Sequence, residues 1–447
     1  MNRFDLTHLT GVKKLLINRW PQMVFFSIML CGFLFAILAG FIGTPVGNVN
    51  FGIVFVWIAW WAVLILVVVP LLGRGWCAIC PIPLPGEWLQ RGSLLGPVAR
   101  STTFKKLRWP NGFRSIWLQN LSFLLLALFS SVILTTPRLT SFILAGMLFL
   151  AIGMSLLFER RTFCRYLCPV GGFIGLFSQV APVELRVKDR HVCATCLDKP
   201  CYHGSESGYG CPWDVFPGGL SRNNQCGLCM ECLRTCPYDN IAINTRPFLA
   251  DLAKPTNRLD ESFKTFLMLG AAMVYAGIYL GPWGFVKMAA YSVGSGSWYI
   301  YSIAFLMTVL GLIPGLFLAM VWISKTISKA VMPLKKAFFS FSTAFIPLGL
   351  GFWMAFSISF LFSNASYILV SLSDPLGRGW NLFGTAGTSW HPYLTGMAPL
   401  LQIVILLVGL LWSYKVSQQI SKQSKITSLP VTTISTLTTL VMFWLLL

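Results

Sequence analysis

Residues 225–244 read QCGLCMECLRTCPYDNIAIN. Cys226, Cys229, Cys232 and Cys236 stand at C-x2-C-x2-C-x3-C, and Pro237 follows. Thiolates are soft metal ligands. Four of them in one short run closed by proline is a spacing that holds [4Fe–4S] cubes, three thiolates on one cube and the fourth on another. The missing ligands lie upstream, in CATCLDKPCYHGSESGYGCPWDVFPGG, as Cys193, Cys196, Cys201 and Cys211, with Pro212 after the last. Crossed ligation then predicts one cube on Cys193, Cys196, Cys201 and Cys236, and a second on Cys226, Cys229, Cys232 and Cys211. The competing chemistry is a pair of structural zinc sites, since four thiolates also suit Zn²⁺. Zinc ribbons, however, usually show two well-separated C-x2-C pairs. Eight cysteines suffice for two cubes, so the neighbouring His191 and His203 are not needed as ligands.

Two more motifs end in Cys-Pro. GRGWCAICPIP carries Cys77 and Cys80; ERRTFCRYLCPVGGFIG carries Cys164 and Cys168. Arg74 precedes the first motif, and Arg160 and Arg161 precede the second. Three readings stand open: a third metal or cluster site, a redox-active thiol site with pKa values lowered by the arginines, and plain turns ended by proline. The spacings differ, C-x2-C against C-x3-C, which argues against a symmetric site.

The elements that must position these cysteines are apolar helices. The chain has 447 residues, 55% hydrophobic and 11% charged, against about 25% charged in soluble chains. Nine runs could span a bilayer: 22–42, 51–72, 116–136, 139–158, 263–283, 297–323, 338–363, 397–414 and 430–447. The first follows a basic start without a small-residue cleavage site and reads as a retained span. With the N-terminus in the cytoplasm, nine alternating spans leave only Arg138, Lys287 and Arg378 outside; the other 31 of 34 Lys and Arg fall inside, as the positive-inside rule requires. The net charge of +20 is therefore topological, and no nucleic-acid partner is expected. Twelve of the thirteen cysteines fall on the inner side, where a reducing compartment favours metal ligands or redox thiols over disulfides. Cys31, alone inside the first span, reads as a small buried apolar residue.

The expected fold is mainly α: a polytopic helical membrane protein of about nine spans, with a small cytoplasmic ferredoxin-like domain for two [4Fe–4S] clusters after the fourth span. Residues 1–158 hold four spans and the Cys77/Cys80 loop, 159–262 the iron–sulfur domain, and 263–447 four or five further spans. Such a domain is held together by its metal more than by an apolar core.

FCRYLCPVGG after a spanning helix, followed by paired motifs ending in CLRTCP, resembles the NapH/NosR-type polyferredoxin membrane proteins over residues 50–245. The resemblance implies membrane electron transfer that supports or matures a metalloenzyme, such as periplasmic nitrate reductase or nitrous oxide reductase. NosR-type members carry a large extracytoplasmic flavin-binding domain. The first outer loop here is only about eight residues, so no flavin domain is expected. The Cys77–Cys80 spacing departs from the family's usual C-x3-C-P.

His8, His191, His203 and His391 all lie outside the runs, so haem b between helices is not expected. The runs carry no mid-depth charge, which argues against an ion pump. The functional expectation is an electron-transfer subunit rather than a stand-alone enzyme, integral to the cytoplasmic membrane. It would pass electrons between a cytoplasmic donor or quinone pool and a membrane or extracytoplasmic redox enzyme. The alternatives are a maturation factor for a partner metalloenzyme and a non-redox, zinc-stabilised scaffold.

Overall fold

The computed structural model describes residues 3–94 and 107–447. Eight helices are long and apolar enough to cross a membrane: Arg19–Ile42, Phe51–Ala78, Pro137–Leu157, Leu259–Tyr279, Gly296–Ile327, Leu334–Asn364, Ala398–Ser424 and Leu429–Leu446. The run expected at 116–136 is interrupted. It forms Trp117–Leu128, breaks at Phe129, and resumes as Ser130–Ile133. Phe129 takes φ −96° and ψ 8°, off the helical region, and hydroxyl residues follow it: Ser131 donates to the Ala290 carbonyl and Thr135 to the Ser131 carbonyl.

Two compact units emerge. The first comprises Met1–Phe35, Val67–Gln119 and Phe142–Asp251 and holds all thirteen cysteines. The second comprises Ala36–Leu66, Asn120–Ser141 and Leu252–Leu447.

Inside the first unit a three-stranded antiparallel sheet runs β1–β3–β2, with β1 Phe4–Asp5, β2 Val183–Val187 and β3 Ile241–Thr245. Its register pairs Leu185 with Ile243 and Glu184 with Asn244. Alternation along β2 sends successive side chains to opposite faces. Leu185 joins Ile241, Ile243, Leu220, Leu228 and Leu233 in a small core that also contains Cys201 and Cys232. Glu184 and Arg186 form a buried ionic network with Arg246 and Asp251: Arg246 to Glu184 at 2.9 Å, Arg186 to Glu184 at 3.2 Å and Arg186 to Asp251 at 3.1 Å.

The second unit is a helical bundle with an aromatic centre. Trp353 meets Trp61, Phe123 and Tyr275 with ring centroids 5.6, 6.4 and 5.3 Å apart. Close helix approach there depends on small residues: a Cβ on Gly40 would lie 1.9 Å from the Ser141 hydroxyl.

Candidate functional site

Twelve cysteines of the first unit stand near one another in three groups by the action of their charges, and none of them is in a disulfide. One set joins the two hairpin ends. After the helix Val69–Leu72 the chain turns at Gly73, φ +59°, where an added Cβ would press the Ser178 side chain at 3.1 Å. The tight turn Gly73–Ala78 then delivers Cys77. From the other hairpin, Cys164 lies on the short helix Thr162–Tyr166, and Cys168 caps the helix Pro169–Phe177, its Sγ accepting from the Gly171 N–H at 3.2 Å. Cys77, Cys164 and Cys168 are buried and Cys80 half-buried. Their charges act on one another. Burial raises the Cys80 thiol pKa well above its ordinary value, and Cys77 and Cys168 raise it further. Burial likewise lifts Cys164, with Cys168, Cys80 and Cys77 adding to it. Cys168 is pushed up to about 11 by burial, against the opposing pull of the Gly171 N–H and Arg74.

A second set joins Cys211 to Cys226, Cys229 and Cys232. These four line one cavity together with Trp213. Burial pushes Cys226 up to about 11, with Cys211 adding to it; burial and Cys211 also raise Cys229. The backbone between these thiols takes the left-handed region at Leu228, φ +49°, and Met230, φ +64°. Each such non-glycine residue costs roughly 1–2 kcal/mol, and alternating backbone hands of this kind form nests whose N–H groups converge on an anion.

The third set joins Cys193, Cys196 and Cys201 to Cys236. One residue ties its two halves: Asn240 donates Nδ2–H to Cys193 Sγ at 3.3 Å and its backbone N–H to Cys236 Sγ at 3.4 Å. Burial, then Cys236, Cys193 and Cys196, push Cys201 up to about 12.

Arginines thread between the sets. Arg161, 4% exposed, donates to the Glu87 carboxylate through Nε and Nη2, and through Nη1 to the Cys77 carbonyl at 2.7 Å. Its backbone N–H donates to the Pro212 carbonyl at 2.9 Å. Burial works to raise the Glu87 pKa, but Arg161 and Arg91 outweigh it and hold the carboxyl below its ordinary value. Arg74 lies over the Trp213 ring, 4.2 Å from its centroid.

Buried donors test what these pockets suit. Arg74 Nε and Nη2 and Trp213 Nε1 are buried without a hydrogen-bond partner, and a buried donor left unpaired is costly. Donors aimed among thiolates fit a sulfide-bearing, negatively charged group. Among the described residues no three or more His, Cys, Asp or Glu side chains are arranged to hold a single metal ion.

Sequence reading named all twelve cysteines and noted Arg74 and Arg161. It passed over Trp213, Glu87 and Asn240. Trp213 follows directly on Cys211-Pro212, and Glu87 is the one acidic residue between 73 and 115, so both carried a local signal. Asn240 has none beyond lying four residues after Cys236.

A 4Fe-4S binding domain model matches residues 53–101 and 140–189, the two hairpins that end in Cys77/Cys80 and Cys164/Cys168. The chain is 29% identical over 136 residues to the Escherichia coli (strain K12) protein named "Putative electron transport protein YccM", covering 28% of this chain and 34% of that one. It is 29% identical over 87 residues to "Uncharacterized protein MJ0750" of Methanocaldococcus jannaschii, covering 20% of this chain and 32% of that one. The chain thus spans about a third of the length of these relatives. No solved structure matches it. The chain is a helical protein that carries a 4Fe-4S binding domain in two stretches, with eight helices apolar and long enough for a membrane.

Proposed function

We propose that this protein transfers electrons at a membrane through three [4Fe–4S] sites arranged in a row. The observation that carries the reading is the sorting of twelve cysteines into three sets of four, each assembled from two separate stretches of chain. When bound, such a cluster takes up and gives back single electrons. The Cys193/Cys196/Cys201/Cys236 set adjoins the Cys211/Cys226/Cys229/Cys232 set, because the Cys201 charge reaches Cys232. The latter adjoins the membrane-face set, because Arg161 faces both Cys229 and Cys164. The outermost set is the one most open to solvent: Cys196 and Cys236 are half-buried and Leu197 beside them is 92% exposed, which suits exchange with a soluble redox partner. The innermost set, at the ends of apolar helices, suits exchange with a membrane partner such as a quinone or an integral redox subunit.

The electron-transport name of the Escherichia coli relative and the domain match over the membrane-face cysteines support this reading. The zinc scaffold fits less well. Buried donors beside the thiols, Arg74 Nε and Nη2 and Trp213 Nε1, suit a sulfide-bearing anionic group better than a lone cation. The cytoplasmic side for the cysteine domain follows from the basic residues around it.

Iron and acid-labile sulfide in anaerobically purified full-length protein test the proposal. About twelve of each are expected, four per cluster. Zinc without sulfide would overturn it, and about eight of each would remove the membrane-face cluster.

A further inference from the structure

Arg74 is 6% exposed and forms no ion pair with a carboxylate among the described residues. Its one hydrogen bond runs from Nη1 to the Asn224 carbonyl; Nε and Nη2 find no protein acceptor. An unpaired buried charge is among the costliest groups a protein can hold. Yet the surroundings are built to keep it in place. Gly73 turns the chain ahead of it, the Trp213 ring lies beneath it, and Gly175 leaves space that a Cβ would take, 3.1 Å from Nη1. Its charge acts on Cys168 in the membrane-face set and on Cys226 in the middle set.

We infer that Arg74 is a counter-cation shared by the membrane-face and middle cluster sites, and that it couples their reduction potentials. The inference rests on the three-cluster reading. Reduction adds negative charge to a site, so a nearby guanidinium favours it at both sites. An electron on one site cancels part of that favour for the other, so the two potentials depend on each other through one residue. Arg74 is a positioning and tuning residue in this role and does not itself carry electrons.

The test is a redox titration of the full-length protein followed by EPR, with signals assigned by Cys236→Ala, which removes the outermost set. Arg74→Gln should make reduction about tenfold less favourable at both inner sites, 59 mV more negative for a one-electron couple, while the outermost signal stays put. Arg74→Lys, which keeps the charge, should restore most of the shift. Gly175→Ala, which crowds the guanidinium without changing charge, should move both inner signals in the same direction as Arg74→Gln by a smaller amount. A shift in only one inner signal, or in neither, with iron content unchanged, overturns the inference. If Arg74→Gln takes up no iron, Arg74→Lys decides: two inner clusters at near wild-type potentials uphold the charge role, and failure of either cluster to form overturns it. Wild-type protein holding about eight iron atoms would instead overturn the three-cluster reading itself.

Discussion

Single residues carry the distinction between the three sets. Asn240 bonds one sulfur from each half of the outermost set, Cys193 through its side chain and Cys236 through its backbone N–H, which favours crossed ligation. Cys236→Ala should therefore remove the cluster of Cys193, Cys196 and Cys201 and spare that of Cys226, Cys229 and Cys232, although Cys236 lies nearer to the latter in sequence. EPR signals with different relaxation report which cluster is lost; disappearance of the Cys226 cluster alone would refute the crossing. Glu87 is the second such residue. It is buried and pairs with Arg161, itself buried, and with Arg91 at 3.5 Å. Glu87→Gln leaves Arg161 without its carboxylate, and breaking a buried pair costs roughly 3–5 kcal/mol. The thermal midpoint in detergent should drop accordingly. Because the folded-state pKa of Glu87 is depressed, its stabilisation is fully present above the ordinary value of 4.5 and is lost as pH falls through the lower folded value. The gap between wild type and Glu87→Gln should hold at neutral pH, begin to close below the ordinary value of 4.5, and vanish as pH passes the lower folded value. A gap that persists in strong acid would mean that Glu87 acts through shape and not through charge.

At the scale of elements, backbone close approaches decide where the cysteines can stand. Gly227 sits between Cys226 and Leu228, and a Cβ there would fall 2.1 Å from Trp213 Nε1. Gly227→Ala must displace either the indole or the Cys226–Cys232 loop, so it should cost the middle cluster, about four iron atoms of twelve, while leaving the outermost EPR signal. Full iron retention would show that the indole moves aside freely. The proximity of Cys236 to Cys193 and Cys201, and of Cys211 to Cys226 and Cys229, was legible in the sequence because thiolate spacing is a local property and the crossing rule supplies the partner. The meeting of Cys77/Cys80 with Cys164/Cys168 was legible only as a possibility, since it depends on how two hairpins pack. The sheet was not legible. V-E-L-R-V alternates, but Glu184 and Arg186 look like solvent-facing residues until Arg246 and Asp251 close a buried network around them. Pairing β2 with β3 joins residues some sixty positions apart, and nothing local announces it. The break at Phe129 was hidden for the opposite reason: apolar composition continues on both sides of Ser130 and Ser131, so a count of hydrophobic residues reads one run where the backbone of Phe129 leaves the helix.

On the scale of the whole molecule, the broken helix decides how many times the chain crosses the membrane. If Cys77 and Cys164 share one site, as proposed, the chain must leave and return to one face between them. Pro137–Leu157 makes the return. The outward crossing then falls to Trp117–Ile133, whose seventeen positions rise about 25 Å at 1.5 Å each, close to the ~30 Å of hydrocarbon. Its ends agree. Gln119 donates to the Cys164 and Arg165 carbonyls at 3.1 and 2.8 Å, while at the far end the Thr135 carbonyl lies 2.2 Å from where a Cβ on Gly47 would stand, in the turn between the first two long helices. Within the second unit, Thr427 donates its N–H to Ser328 Oγ at 2.7 Å, between two loops that carry lysines, and Trp444 meets Trp283 at 5.0 Å. With Trp117–Ile133 as a ninth crossing, the expectation from the distribution of Lys and Arg is a C-terminus on the outer face. Paired reporter fusions in the native membrane test this: at Leu447 a periplasm-active reporter should be active and a cytoplasm-active one silent, with the reverse pattern for fusions in the Ile327–Leu334 loop. Matching activity at the two positions would mean that Trp117–Ile133 does not cross or that Leu429–Leu446 lies along the membrane, and fusions after Thr136 would tell which, since only the former predicts an inner location there.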